Sequence, residues 1–325
     1  MRRGFSRIEL AVVLAVLAVG VGSTLPAVQA ARRLSDREVC ADNLRRIGMA
    51  CLEFEKANGG LPPRRSSLNS GQPYGGWGAY ILPYIGEDSL AGKYDPKRDF
   101  YDPANKAVVE TPVSVFVCPS SPTGRSVGIQ SQASAKSSNP DKDTVFSVSA
   151  APCDYISSNG MNAGNTGYGI NANAINPTDT MGGNQRQAMT DGVYLPLTKI
   201  TDGTSCTLLL IEQAGRPQLW RNGKLIDNNP RANMNPSARG AWAGYGSIGF
   251  GVVNGETGER PAKGDATDCV VNCTNQTSVY GFHAGGANVL MCDGAVRFVG
   301  TRLDPLTFAY LTLRDDGHLI SPTDY

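Results

Sequence analysis

The chain has 325 residues with 41% apolar and only 18% charged side chains, which is enough to bury a real core and excludes a largely disordered polypeptide. A formal net charge of +1, with no Lys/Arg run beyond the first residues, excludes a nucleic-acid footprint. Thirty-eight Gly and twenty Pro favour turns and short strands over long helices beyond the N-terminal region.

The N-terminus reads Met1-Arg2-Arg3-Gly4-Phe5-Ser6-Arg7-Ile8-Glu9-Leu10 and continues to Leu25 without further charge. The stretch from Ile8 to Leu25 is just long enough for a spanning helix, with the arginines on its cytoplasmic side. Three readings fit: a secretory signal cleaved after Val28-Gln29-Ala30, an uncleaved anchor, or a short basic leader cut after Gly4. Glu9 discriminates among them. A carboxylate within an apolar run costs on the order of 3 kcal/mol on insertion scales, so it calls for a partner. Cleavage after Gly4 supplies one, because the new α-amine of Phe5 lies one helical turn from Glu9. The other two readings give Glu9 no role.

Beyond Pro26 the pattern becomes amphipathic. Cys40, Leu44, Ile47, Cys51 and Phe54 recur at spacings of four and three, which predicts one helix, bent at Pro26, running to about Ala57. Asn58-Gly59-Gly60 closes it with a left-handed cap, and Leu61-Pro62-Pro63 prevents its continuation. The apolar stripe is the expected spine for a sheet.

In the remainder, Trp77 to Ile85 predicts a helical turn and Val113 to Cys118 a strand. Residues 120–149 read as a mobile surface loop, and 159–192 as irregular. The apolar run ending at Glu212, after the Asp202-Gly203 turn, predicts a buried strand. Asn288–Cys292 and Ala295–Val299 flank Asp293-Gly294 and predict a hairpin with a two-residue type I′ turn.

The eight cysteines lack paired C-x2-C spacing and only two His are present, so zinc is a poor reading. One to three disulfides are expected, with Cys269–Cys273 the favoured pair; Cys40 and Cys51 read equally well as packed thiols on the helix stripe. His283 with Asp293 reads either as half of an acid–base or metal site or, preferably, as a histidine hydrogen-bonded to the hairpin or a loop. Gly244-Tyr245-Gly246-Ser247-Ile248-Gly249 matches G-x-G-x-x-G but is followed by Phe250-Gly251-Val252 rather than a helix, which argues against a dinucleotide site. No nucleophile elbow is present. The expectation is a protein that is not an enzyme.

Gly4-Phe5-Ser6-Arg7-Ile8-Glu9-Leu10 resembles the type IV prepilin cleavage and methylation motif, departing from it at Ser6 and Arg7. His283-x9-Asp293-Gly294 resembles the C-terminal signature of a large pilin-like family abundant in planctomycete bacteria. Asn43-Leu44-Arg45-Arg46-Ile47-Gly48, Leu61-Pro62-Pro63, Cys118-Pro119-Ser120 and Asp202-Gly203-Thr204-Ser205 ahead of Glu212 match it too. The resemblance implies an α+β fold in which a long N-terminal helix packs on an antiparallel sheet with loop-rich insertions. It divides the chain into a leader (1–4), a transmembrane and spine helix (5–58) and an extracytoplasmic head (59–325). It implies cleavage between Gly4 and Phe5, methylation of Phe5, and Glu9 as the assembly carboxylate. The implied function is a structural subunit of a type II secretion-like or type IV pilus-like filament. Its partners would be a prepilin peptidase, other pilin-like subunits and an inner-membrane assembly platform. The location would be the inner membrane, single-pass, with the head in the periplasm or the filament. A membrane-anchored binding module that does not polymerise is the alternative, and an exported enzyme centred on His283 and Asp293 is a second. No cofactor is required. Calcium, held by some secretion pseudopilins, has oxygen ligands to choose from in Asp141, Asp143, Asp202, Asp315 and Asp316, but these lack EF-hand spacing and serve equally well as surface turns.

Overall fold

The computed structural model describes residues 7–66, 73–132, 145–158, 186–228, 240–244, 251–259, 268–318 and 320–321. The leader 1–4, Phe5 and the G-x-G-x-x-G glycines Gly246 and Gly249 lie outside them.

Helix α1 runs from Arg7–Asn58, 52 residues without interruption. It ends where Gly59 takes φ +77° and donates its N–H to the Glu55 carbonyl at 2.7 Å, the left-handed cap expected from Asn-Gly-Gly. Cys40, Leu44, Ile47, Cys51 and Phe54 are all buried. The four-three spacing therefore does what its periodicity predicts: it lays one face of the helix on the head. The described apolar side chains of the first turns are instead exposed, Ile8 by 77% and Val16 by 66%, and residues 28–35 are exposed as well. Among the described residues no helix is long and apolar enough to cross a membrane. The spanning segment expected from Ile8 to Leu25 falls largely on positions 13, 15 and 17–27, whose side chains are outside the description.

Short elements follow the spine. Trp77 to Ile85 forms α2 (Trp77–Tyr80) and a 3-10 turn (Leu82–Ile85), as its apolar pattern predicts. Phe54 near the end of α1 is clamped edge-on by Tyr80, Tyr84 and Tyr194, with ring centroids 5.2–5.9 Å away. Two further single turns, α3 (Asp88–Ala91) and α4 (Lys106–Val109), lead to Val113. The strand expected over 113–118 is absent: Ser114–Phe116 is a 3-10 turn. Its apolar side chains reach the core from that turn, Phe116 stacking on Trp242 at 5.9 Å. The single surface loop expected over 120–149 is also replaced, in part, by an antiparallel pair, β1 (Val127–Gln132) with β2 (Val145–Ala150). Ile129 and Val148 are buried because this hairpin lies on the core rather than standing off it.

The main sheet contains β3 (Tyr155–Ser157), β4 (Leu208–Glu212), β7 (Gly286–Met291) and β8 (Val296–Gly300), in that spatial order and antiparallel throughout. A small ribbon, β5 (Leu219–Arg221) with β6 (Lys224–Asp227), stands apart from it. A last helix, α5 (Pro305–Leu311), is capped by Asp304, whose carboxylate accepts the Thr307 N–H at 2.8 Å. β4 and β7 are buried at every position. One face meets α1 and the aromatic core; the other meets a second cluster containing Val270, Val279, Phe308 and Leu311. The chain is thus a mixed α/β fold with antiparallel sheets. Its spine helix packs on β7 and β8, and Gly48 is a point of close approach to β7: a Cβ there would lie 2.8 Å from Leu290.

The β7–β8 hairpin exists, but its turn differs from expectation. Met291 pairs with Ala295, and Gly294 donates its N–H to the Met291 carbonyl at 3.0 Å. Only Gly294, at φ +86°, is left-handed. The loop therefore has three residues, a type I turn closed by a glycine bulge rather than a two-residue type I′ turn. Asp293 caps this loop from its own side chain, accepting the Ala295 N–H at 2.8 Å. Cys269 and Cys273 form the expected disulfide.

Candidate functional site

Four side chains distant in sequence converge beneath the spine helix: Cys40, Cys118, Glu212 and His283. One ligand atom from each lies within 4.8 Å of all the others, and all four residues are buried. Each comes from a different element. Cys40 belongs to the first turn of α1 to enter the head. Cys118 follows the 3-10 turn, its N–H donated to the Asp154 carboxylate at 2.9 Å. Glu212 is the last residue of β4. His283 lies three residues before the start of β7 and is bridged to Gly286.

The hydrogen bonds focus on one point. The Glu212 Oε1 accepts from the Cys40 thiol at 3.1 Å and lies 3.1 Å from the His283 Nε2. The same His283 Nε2 is 3.5 Å from the Cys118 Sγ. The second carboxylate oxygen of Glu212 accepts the Asn288 N–H at 2.8 Å, which fixes the plane of the carboxylate. The Tyr155 hydroxyl sits 3.0 Å from the Cys40 Sγ.

Buried hydrogen bonds tie the surrounding segments to this arrangement. Asp154, fully buried, accepts from the Cys118 and Gly215 backbones, from Ser121 at 2.6 Å and from the buried Arg125 guanidinium at 2.8 Å. Asn43 on α1 donates to the Val117 carbonyl at 3.1 Å, tying the spine to the segment that carries Cys118.

Burial alone would push the His283 imidazole down. Its hydrogen bonds to Cys118 and Glu212, with the Glu212 charge, outweigh that and raise it to about 10. The Cys40 thiol is raised well above its ordinary value, by burial first and then by its contact with Cys118 and the Glu212 charge. Tyr155 is raised by the same burial.

The geometry argues against nucleophilic catalysis. A thiol–imidazole–carboxylate triad uses both ring nitrogens of the histidine, one for the nucleophile and one for the acid. Here Cys118 and Glu212 address the same nitrogen. The described cleft of about 320 Å³ lies elsewhere, lined by Tyr80, Pro83, Tyr94, Pro96, Arg98 and Tyr194, and none of the four residues borders it.

Of the sites expected from the sequence, His283 is placed in this cluster and not on the hairpin. Asp293 and Gly294 form the turn at the far end of β7, roughly 20 Å away at ~3.4 Å per strand residue, so His283 and Asp293 are not a catalytic pair. Glu9 is on the exposed first turn of α1. Of the aspartates considered for calcium, Asp141 and Asp143 lie outside the described residues. Asp202 is occupied by the Asp316 and Gly317 N–H groups at 2.7 and 2.9 Å, and Asp315 pairs with Arg186. Cys40 and Cys51 are both buried free thiols, as the packed reading expects; Cys40 in addition donates to Glu212, and burial pushes the Cys51 pKa up to about 12.

A family model described as SBP_bac_10, protein of unknown function (DUF1559), matches residues 26–306, from the middle of α1 to the start of α5. No curated protein and no solved structure matches the chain.

Proposed function

The chain belongs to the SBP_bac_10 (DUF1559) family, matched over residues 26–306, and on that premise we propose that it is a pilin-like, pseudopilin-class subunit. It assembles through its N-terminal helix into a type II secretion-like or type IV pilus-like filament. The observation that supports this reading is the division of labour along α1. From Cys40 onward the helix buries an apolar stripe in the head; before it, Ile8, Leu10, Val12, Leu14 and Val16 are exposed in the single chain. An apolar surface of that extent calls for a lipid or protein cover. Helices of neighbouring subunits supply it in a filament, and the inner membrane supplies it before assembly.

In this account a prepilin peptidase removes residues 1–4 between Gly4 and Phe5, and Phe5 is N-methylated. The Phe5 amine then offsets the Glu9 carboxylate of a neighbouring subunit. Other pilin-like subunits and an inner-membrane platform are the partners, and the head stands in the periplasm or on the filament surface. The role is structural rather than catalytic.

A second reading, a membrane-anchored binding module that stays monomeric, draws on the cleft between Tyr80, Tyr94 and Tyr194, whose aromatic walls and Arg98 suit an extended extracellular polymer. The two readings separate in a Glu9→Ala variant expressed in the native host. Loss of the subunit from sheared filaments, with its level in the membrane unchanged, is the outcome for assembly. Unchanged partitioning between membrane and shear fractions favours the anchor.

A further inference from the structure

We propose that Cys40, Cys118, Glu212 and His283 form a structural zinc site that pins the spine helix to the head. The cluster has the three properties such a site needs. The donor set, two thiols, an imidazole and a carboxylate, suits zinc and is too soft for calcium or magnesium. The count is four, all from the protein and all buried, which gives closed tetrahedral coordination without an open position for substrate. The atoms also lie close enough to share one ion: His283 Nε2 and Glu212 Oε1 approach each other at 3.1 Å, the Cys40 sulfur is 3.1 Å from that oxygen and the Cys118 sulfur 3.5 Å from that nitrogen.

Tetrahedral zinc with sulfur at about 2.3 Å and nitrogen or oxygen at about 2.0–2.1 Å separates its ligand atoms by about 3.3–3.8 Å. The three hydrogen-bonded spacings, 3.1, 3.1 and 3.5 Å, need an expansion of only a few tenths of an ångström, and every other pair lies within 4.8 Å. Glu212 would bind through Oε1 alone, since the Asn288 N–H holds Oε2. Tyr155, 3.0 Å from the Cys40 sulfur, stabilises that thiolate, a supporting contact of the kind that orients ligands at metal centres. Asp154, through the Cys118 N–H, positions the loop carrying the second sulfur. On binding, the two thiols and the imidazolium release their protons, so four ligands of net charge −3 surround a +2 ion.

The site also answers a chemical difficulty in an exported protein. Two adjacent thiols in an oxidising compartment are open to disulfide formation, and coordination to zinc holds both as thiolates. The inference is independent of filament assembly: a zinc count and the mature N-terminus are separate measurements, and either can fail alone.

The test uses the full-length chain purified in detergent without chelators. Mass spectrometry of the metal content is expected to give about one zinc per chain. Cys118→Ser and His283→Ala are expected to lose it, and Cys206→Ser, whose thiol hydrogen-bonds Ser205 and the Ile320 carbonyl away from the cluster, to retain it. Where the ligand variants do not fold, cobalt exchanged into the native chain decides: the proposal expects sulfur-to-cobalt charge-transfer bands together with the intense d–d bands of a tetrahedral site. Three results overturn it: a folded native chain that takes up neither zinc nor cobalt, zinc retained in both ligand variants, or a peptide map showing a Cys40–Cys118 disulfide.

Discussion

At the scale of single residues, the head is organised around charges that water does not reach. Asp191 is held by Arg64 through two hydrogen bonds, at 2.9 and 2.6 Å, and by Arg65 at 2.8 Å. Burial raises the Asp191 carboxyl, but the two guanidinium groups outweigh it and hold the group below its ordinary 3.8. A carboxylate depressed in the folded state adds stability that is present above its unfolded value and lost as pH falls through the folded one. The contribution of Asp191 is therefore complete at neutral pH and disappears below pH 3.8. Asp191→Asn is expected to lower stability by about 3–5 kcal/mol at neutral pH, because it leaves Arg64 buried against a neutral partner. The deficit should shrink in acid, where the native carboxylate is itself protonated. Denaturant midpoints at neutral and acid pH check both the size and the trend.

At the scale of elements, α1 and β7 carry the architecture. Leu44 is fully buried beneath the helix, so Leu44→Ala is expected to cost about 2–5 kcal/mol. Met49→Ala, five residues further on and therefore on another face of the helix, 56% exposed, is expected to change stability by less than about 0.5 kcal/mol. Chemical unfolding of the two variants side by side measures the contrast. The helix stripe, its glycine cap and the buried strand ending at Glu212 were legible in the sequence, because periodicity and turn chemistry are local signals. Val113 to Cys118 misled for the same reason: five apolar or β-prone residues satisfy a strand pattern, yet here the backbone hydrogen bonds close locally as a 3-10 turn. The hairpin between β7 and β8 was legible and its turn type was not, since Asp-Gly serves a type I turn with a glycine bulge as well as a type I′ turn. The nine-residue spacing from His283 to Asp293 has a physical explanation in the structure. It is the length of β7 with its flanking residues, which sets the imidazole at the buried cluster and the turn at the opposite end of the strand.

At the scale of the whole molecule, the cluster of Cys40, Cys118, Glu212 and His283 joins four elements that no short motif links. Cys40 and Glu212 are 172 residues apart, and Cys118 and His283 are 165 apart. Spacing rules built for C-x2-C knuckles are blind to such a site, and only the tertiary packing of α1, β4, the turn before Cys118 and the segment before β7 brings it into being. The apolar beginning of the same helix was legible from composition, and its described side chains Ile8, Leu10, Val12, Leu14 and Val16 are exposed. In the proposed account the cluster fixes where the head sits on the spine, and the exposed end is the surface that neighbouring subunits or lipid cover. The most direct test of the filament account is the mature N-terminus of protein isolated from its native membrane, read by intact-mass and peptide mass spectrometry. The account predicts a chain beginning at Phe5 with a methylated α-amine. A chain beginning at Ala31, or one retaining Met1 to Gly4, would contradict it.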